Sequence, residues 1–314
     1  MKVHALKSGD VPICNNLFLA PMAGFTDYPF RKTILPLGVG FCFTELTSAK
    51  GLYYGAKNNE RILKTDDYER TAAQIFGSDP YFMRWATESD HLKNYKIIDI
   101  NMGCPVPKIV KNGEGSALLS DIKLAESIIK ECVKSGKTIT VKIRSGIKAG
   151  DDIAAEFAKM AENAGAALVT VHGRVREAYY SGEPDYKAIE RAKKSVKIPV
   201  IANGGIFTVS DADKMIENTG ADGIMIARGA IADPFIFSKI SGEAVSGEIK
   251  NIKDFAIAHL KEEAKFSGSN RAAVEFRKFI AYYFKSVENS KAKRAEIMQS
   301  ESAERTKELL NKYL

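Results

Sequence analysis

The sequence predicts an α/β fold, a (β/α)8 TIM barrel followed by a small C-terminal all-helical domain. Three observations carry this expectation. Short β-branched and aliphatic runs alternate with longer helical patterns, the mark of repeated β-α units around a parallel sheet. Eight such runs occur, the number that closes a barrel. After residue 240 they stop, and helical periodicity alone remains.

The strands are expected at 17–22, 39–45, 72–76, 97–101, 138–143, 167–171, 198–202 and 223–227. Between them, 81–92, 116–134, 153–164, 185–196 and 209–218 place apolar residues three and four apart, the spacing of one helical face. The unit after the second strand shows no clear helix. Gly165 and Gly220 follow two of these patterns and precede short turns into the next strand, as helix stops do. An open, doubly wound sheet would place a dinucleotide-binding glycine fingerprint after its first strand, where this chain has Pro21-Met22-Ala23-Gly24. The barrel is therefore assigned to residues 1–240. A Ser/Gly-rich stretch, 241–248, reads as a linker. Within 249–314, Ile252, Phe255, Ala256, Leu260 and Ala264 fall on one helical face, and Ala273, Phe276, Ile280, Phe284 and Val287 on another.

With 314 residues, 45% hydrophobic and 27% charged, the chain has an ordinary globular composition, which excludes a disordered chain, a collagen-like fibre and a disulfide miniprotein. Its longest apolar runs are strand-sized and its first residues lack the apolar core of a signal peptide, so a cytoplasmic protein without membrane spans is expected. Cys14, Cys42, Cys104 and Cys132 lie far apart with no C-x-x-C pair, which predicts neither a disulfide framework nor a metal site. Lys plus Arg outnumber Asp plus Glu by 46 to 39, and the net charge of +7 favours an anionic partner. The chain is expected to act as a monomer.

In barrels of this kind the chemistry sits at the C-terminal ends of the strands. Here those ends carry Met22, Glu45, Gln74, Asn101, Lys142, His172, Asn203 and Arg228, a polar or sulfur-bearing residue at each. A single strand-end Asn or Gln is usually a turn cap, but eight converging on one mouth point to a site. Asn203-Gly204-Gly205-Ile206 and Ala227-Arg228-Gly229-Ala230 follow the last two strands, where glycine lets backbone N–H groups approach a phosphate and Arg228 adds charge. Lys142 points a charge into the barrel, where it needs a polar partner: a ligand atom, or Glu45 in a structural ion pair. Cys104, in Asn101-Met102-Gly103-Cys104-Pro105, lies on a proline-stiffened loop past the fourth strand. A thiol with an ordinary pKa of about 8.5 is protonated at neutral pH, so it serves there as acid or nucleophile. The other three cysteines read as small hydrophobes.

Five segments resemble, in content and order, the motifs of the tRNA-dihydrouridine synthases: Leu19-Ala20-Pro21-Met22-Ala23-Gly24-Phe25-Thr26-Asp27, Asn101-Met102-Gly103-Cys104-Pro105, Val141-Lys142-Ile143-Arg144, Val171-His172-Gly173-Arg174 and Ala202-Asn203-Gly204-Gly205-Ile206. The resemblance implies an FMN enzyme that reduces the C5=C6 bond of selected uridines in tRNA, with NADPH regenerating the reduced flavin. It makes Cys104 the proton donor to C5. It places Pro21, Met22 and Ala23 against the isoalloxazine ring, Gln74 and Lys142 at the ring's polar edge, and His172 near flavin and substrate. A cation at that edge stabilises reduced flavin. Asn203, Gly204, Gly205, Ala227, Arg228 and Gly229 match the phosphate cradle, and Asn101 and Arg174 the substrate pocket. At Gly205 the family more often has Asp, a departure that should rearrange one phosphate contact without touching the redox chemistry. Gly113-Glu114-Gly115-Ser116 resembles the family's glycine-rich segment after the cysteine, which implies a mobile active-site loop. Two rivals remain: a reductase or dehydrogenase of a free pyrimidine, and a non-catalytic RNA-binding protein on the same barrel. The basic tail argues against the first, Cys104 with Lys142 against the second.

A uridine stacked in folded tRNA must be flipped out to reach a barrel mouth, so the RNA needs a grip elsewhere. From Arg271 to Arg294 seven basic residues stand against only Glu275 and Glu288. Arg271, Lys278 and Lys285 recur every seven residues, which sets them on one side of a continuous helix with Tyr282 beside them. This stripe is expected to contact tRNA phosphates.

Overall fold

The computed structural model describes residues 1–245 and 247–314; Ser246, in the expected linker, lies outside them. β1 (Leu6–Ser8) and β2 (Val11–Ile13) form an antiparallel hairpin. The barrel is built from β3 (Leu17–Leu19), β4 (Phe41–Phe43), β6 (Thr71–Phe76), β7 (Ile97–Met102), β8 (Thr138–Arg144), β9 (Leu168–His172), β10 (Val200–Asn203) and β11 (Gly223–Ile226), with β5 (Thr47–Ser48) continuing the second strand. Neighbours pair in parallel, and contacts of β4 with β6 and of β11 with β3 close the circuit. All eight expected strands are present, the first two shorter than expected.

The second strand is short because it is interrupted. Phe43 stands opposite Ala72 and Thr47 opposite Ile75, so four steps face three and one extra residue bulges out at 44–46. The bulge sends Glu45 to the Gly24 N–H, which it accepts at 2.5 Å.

Side chains alternate across the sheet. Ile98, Ile100, Val141, Val169, Val171 and Ile224 face outward into the layer beneath the helices, while Phe18, Phe41, Phe43, Ile97, Leu168, Ile201 and Met225 fill the lower barrel. Ile13 of the hairpin packs into that inner set, with Leu6 and Val11 behind it, and plugs the bottom. Only the upper end stays open.

Around the barrel run α1 (Tyr28–Ile34), α2 (Ala49–Tyr53), α3 (Asn59–Leu63), α4 (Pro80–Glu88), α5 (Pro107–Lys111) and α6 (Ile122–Val133). They are followed by α7 (Ala154–Asn163), α8 (Tyr186–Ser195), α9 (Val209–Thr219), α10 (Arg228–Ala232) and α11 (Ile236–Ser241). Asp79, Asp121, Asp185 and Thr208 cap α4, α6, α8 and α9 by accepting a first-turn N–H. Gly165 and Gly220 are left-handed, as helix stops require. The unit after the second strand holds the two short helices α2 and α3, too brief to show a period.

The tail comprises α12 (Ile252–Ser267), α13 (Ser269–Tyr283), α14 (Ser290–Met298) and α15 (Ala303–Tyr313). Its apolar face continues the barrel's outer layer: Phe30 of α1 stacks on Phe279 at 5.5 Å and meets Phe255 edge-on at 6.0 Å. The expected basic stripe does not survive as one helical face. α13 ends at Tyr283, Phe284 leaves helical geometry with its ring fully buried, and Lys285 lies in the turn beyond. Lys278 points at the barrel, 3.2 Å from Asp27, which caps α1. Among the described residues no helix is long and apolar enough to cross a membrane.

Candidate active site

The open end of the barrel holds a cavity of about 670 Å³. Pro21, Met22 and Ala23 line it from the β3 end, and Asn101, Cys104 and Lys142 from the β7 and β8 ends. His172, Arg174, Asn203, Gly204, Gly205, Ala227, Arg228 and Gly229 complete it. Gln74 is absent from the lining, as are Arg271, Lys278 and Lys285.

Gln74 lies beneath the cavity because of Asp99, a fully buried carboxylate on the next strand that must be paired. Thr140 Oγ1 donates to Asp99 Oδ1 at 2.6 Å and Gln74 Nε2 donates to Asp99 Oδ2 at 2.7 Å. Asn101 Nδ2 in turn donates to Gln74 Oε1 at 3.0 Å. That leaves Asn101 Oδ1 facing the loop, where it accepts the N–H groups of Gly103 at 3.2 Å and Cys104 at 2.9 Å. The amide orientations thus run in one sense from Asp99 to the Cys104 backbone. Gln74, expected at the edge of a bound ring, orients Asn101 from below.

From the other side, the Cys104 carbonyl accepts from Ser116 N at 3.1 Å and Ser116 Oγ at 2.8 Å. Gly115 passes over this loop at φ +60°, and a Cβ there would stand 3.0 Å from Cys104 O. The glycine-rich segment is therefore pinned on the cysteine loop. Burial pushes the Cys104 thiol up from its ordinary pKa, against smaller pulls from the Val106 N–H and the charges of Arg144 and Lys142, so the thiol carries its proton at neutral pH.

Lys142 Nζ donates to Asn203 Oδ1 at 3.2 Å, and Asn203 Nδ2 donates to Met225 O at 2.7 Å. The expected alternative, an ion pair of Lys142 with Glu45, does not form, since Glu45 is engaged by Gly24. Burial, then the Arg144 charge, lowers the Lys142 pKa to about 8, while Asp99 and Cys104 pull it up. Asp99 is pushed up to about 6 by burial. His172 is held well below its ordinary value by burial and by four surrounding cations, and its neutral Nε2 faces Arg174 Nη1 at 3.4 Å.

Arg174 stands beside the loop after β10: a Cβ on Gly204 would lie 3.1 Å from its Nη1. Its guanidinium donates to Gly182 O at 2.6 Å and holds the β9–α8 loop. Gly229 approaches so closely that a Cβ there would meet Ile206 O at 2.1 Å. Gly205, at φ +69°, packs against Pro184, which leaves no strain-free room for a side chain.

Several cavity residues were given no role in the cavity from the sequence. Arg144 donates to Gly103 O at 2.9 Å and to Tyr179 O at 2.9 Å, tying the cysteine loop to the β9–α8 loop. It lies two residues after Lys142 on one strand, so period-two alternation would have found it. Tyr179 adopts φ +48°, an uncommon state for a bulky residue, at the rim. Tyr180 stacks under Arg228 at 4.7 Å. Tyr282 reaches the cavity from the tail, and Phe25 packs edge-on against it at 6.0 Å; only tertiary structure reveals that placement.

Away from the cavity, Asp27, His259 and Glu263 each bring one potential ligand atom within 4.8 Å of the others. Lys278 at 3.2 Å from Asp27 and Arg61 at 3.4 Å from Glu263 already neutralise the carboxylates, so the trio reads as a joint between barrel and tail.

The family model described as dihydrouridine synthase matches residues 18–314. The chain is 35% identical over 316 residues to tRNA-dihydrouridine synthase B of Vibrio cholerae, covering 98% of both chains. It is 34% identical over 294 residues to the probable tRNA-dihydrouridine synthase of Rickettsia conorii, covering 91% of this chain and 89% of that one. Among solved structures, histamine dehydrogenase from Rhizobium sp. 4-9 superposes with a TM-score of 0.60 at 14% identity over 82% of this chain, and a 2-naphthoyl-CoA reductase with 0.59 at 12% over 76%. This chain spans about half the length of those two, at 50% and 52%, and the likeness is one of fold. The match across nearly the whole sequence, with the motif residues gathered in one barrel mouth, places the chain in the dihydrouridine synthase family.

Proposed function

We infer that the chain is a tRNA-dihydrouridine synthase, an FMN-dependent oxidoreductase that reduces the C5=C6 bond of specific uridines in tRNA with Cys104 as proton donor. One observation carries the reading: a single cavity joins a protonated thiol, a half-buried lysine and two glycine loops flanked by arginines. The residues present fit FMN. Gly204, Gly205 and Gly229 let their loops close tightly at one end of the cavity with backbone exposed to it, and Arg174 and Arg228 supply charge for a phosphate. Pro21, Met22 and Ala23 offer a wall for a flat ring, and Lys142, with His172 beside it, a cation for the ring's polar edge.

Bound there, the flavin supplies the hydride that saturates the uracil ring. Asn101, held by Gln74 and Asp99, fixes the loop that presents Cys104. The thiol gives its proton to C5, which its raised pKa permits without prior activation. Lys142 would set a positive charge at the ring's polar edge. Exposed Arg271 and Lys285 are assigned to tRNA phosphates, with Lys278 behind them in the joint to the barrel. NADPH is the proposed reductant, and the chain is assigned to the cytoplasm, acting as a monomer.

The test is incubation of the purified protein with FMN, NADPH and unmodified tRNA, followed by digestion and mass spectrometry for uridine that has gained two hydrogens. Its appearance establishes the reaction, and fragment mapping names the position. A bound, NADPH-reducible flavin with no such product would overturn the reading in favour of a free pyrimidine substrate.

A further inference from the structure

The cavity does not end at Cys104. Val106 and Ile109, on its outer wall, also line a second hollow of about 630 Å³, and Lys50, Asn112 and Glu114 carry that hollow on into a third of about 730 Å³. The three form one trough that leaves the mouth past the cysteine loop, between α2, α4 and α5.

Its edge is aromatic and exposed. Tyr54 is 68% exposed and Tyr81 61%, values unusual for such large rings. They are not loose: Tyr53 meets Tyr54, Phe82 and Trp85 edge-on at 5.0, 4.9 and 5.0 Å, so the rings brace one another in a single cluster. Its charge is basic. Lys50, Lys57, Lys108 and Lys111 stand on or beside it, and none makes an ion pair among the described residues. Of the two carboxylates that line the trough, Glu114 is buried and Asp79 is engaged in capping α4.

Exposed aromatic faces beside unpaired lysines are the elements of a surface that holds unpaired nucleotides, rings stacking on bases and cations tracking the backbone. Continuity with the cavity determines which nucleotides. We propose that the trough holds the stretch of tRNA adjoining the flipped uridine, with a base on Tyr54 and phosphates near Lys50 and Lys108. This rests on the reading of the cavity as a uridine site. The shelf is built by the barrel and is separate from the basic residues of the tail, so the RNA is held on two sides of the mouth.

The test compares wild type, Tyr54→Ala and Lys50→Gln/Lys108→Gln as flavin-loaded proteins, with flavin absorbance reporting an intact barrel. Wild-type dihydrouridine formation checks the underlying reading separately. Expected for both variants is a KM for tRNA raised about tenfold with kcat at saturation within twofold, and unchanged flavin reduction by NADPH in the absence of tRNA. The lysine variant should also show a shallower dependence of tRNA affinity on salt. An unchanged KM and salt slope would overturn the proposal. So would slower flavin reduction by NADPH with normal tRNA affinity, which would assign the trough to the reductant.

Discussion

At Cys104 the structure combines what a proton donor needs: a thiol held above its ordinary pKa by burial, and a backbone fixed by Asn101 on one side and Ser116 on the other. Cys104→Ala should keep the flavin, since no cradle contact is lost, while uridine reduction falls by roughly 10²- to 10⁴-fold, the usual range for a lost general acid. Single-turnover oxidation of the reduced flavin by tRNA reads this directly, and a fully active mutant would remove the assignment. Asp99 makes a sharper case because stability and function are expected to part. Its folded pKa of about 6 lies above the ordinary 3.8, so the folded state is penalised as pH rises from about 4, fully so above about 6. Asp99→Asn keeps an acceptor for Gln74 and reverses the Thr140 bond, its amide donating to the hydroxyl that donates to Asp99, while deleting that penalty. The flavin-free variant should gain on the order of 2 kcal/mol at pH 7 and nothing near pH 4. Lys142 would lose the carboxylate that raises its pKa from below, so flavin affinity should weaken at pH 7 to 8. Thermal unfolding at the two pH values and a flavin titration check both halves; equal gains at both pH values would refute the buried-charge account.

Among the elements, the loops after β10 and β11 depend on backbone rather than side chains. Gly229→Ala drives a methyl into Ile206 O, and backbone there cannot yield as a flexible side chain would. The change should cost about 2 kcal/mol or more and weaken flavin binding at least tenfold, seen as flavin lost on gel filtration. Retained flavin at wild-type stability would show that the cradle is not built as described. How far such elements were legible depended on their length. The eight barrel strands showed in the sequence because each lies in a run of β-branched and aliphatic residues, as a parallel sheet buried on both faces demands, and β7 and β8 carry polar inward residues at their upper ends. The β1–β2 hairpin, β5 and the bulge at 44–46 span two or three residues each, too few for any period, although they plug the barrel and place Glu45 on Gly24. The site residues at strand ends were legible from position plus motif. The place of Gln74 beneath the cavity was not legible, because the demand of Asp99 for a partner is a contact between two strands that no single run of sequence displays.

For the whole molecule, the tail is where linear arithmetic failed most clearly. A seven-residue spacing aligns charges only while the helix continues, and burial of Phe284 ends α13 before Lys285. The three expected phosphate contacts therefore divide by what they touch. Arg271 and Lys285 are exposed, Arg271 having only Glu275 at 3.5 Å, whereas Lys278 is three-quarters buried against Asp27 at the joint that also holds Phe30 on Phe279. Exposed cations release counterions on meeting RNA; a cation sealed in an intramolecular pair does not. Arg271→Gln with Lys285→Gln should leave the melting temperature unchanged, lower tRNA affinity about tenfold at low salt, and make the logarithmic salt slope shallower by one to two. Lys278→Gln should do the reverse, leaving the salt slope alone and lowering stability by about 1 kcal/mol, as expected for one partly buried ion pair. Because Tyr282 reaches the cavity from the same helix, Lys278→Gln should also disturb turnover at saturating tRNA, which the double variant should not. Measuring both proteins by thermal unfolding, salt-dependent tRNA binding and kcat separates the roles. A Lys278→Gln protein of native stability with a shallower salt slope would return that residue to the RNA surface and leave the joint to aromatic packing.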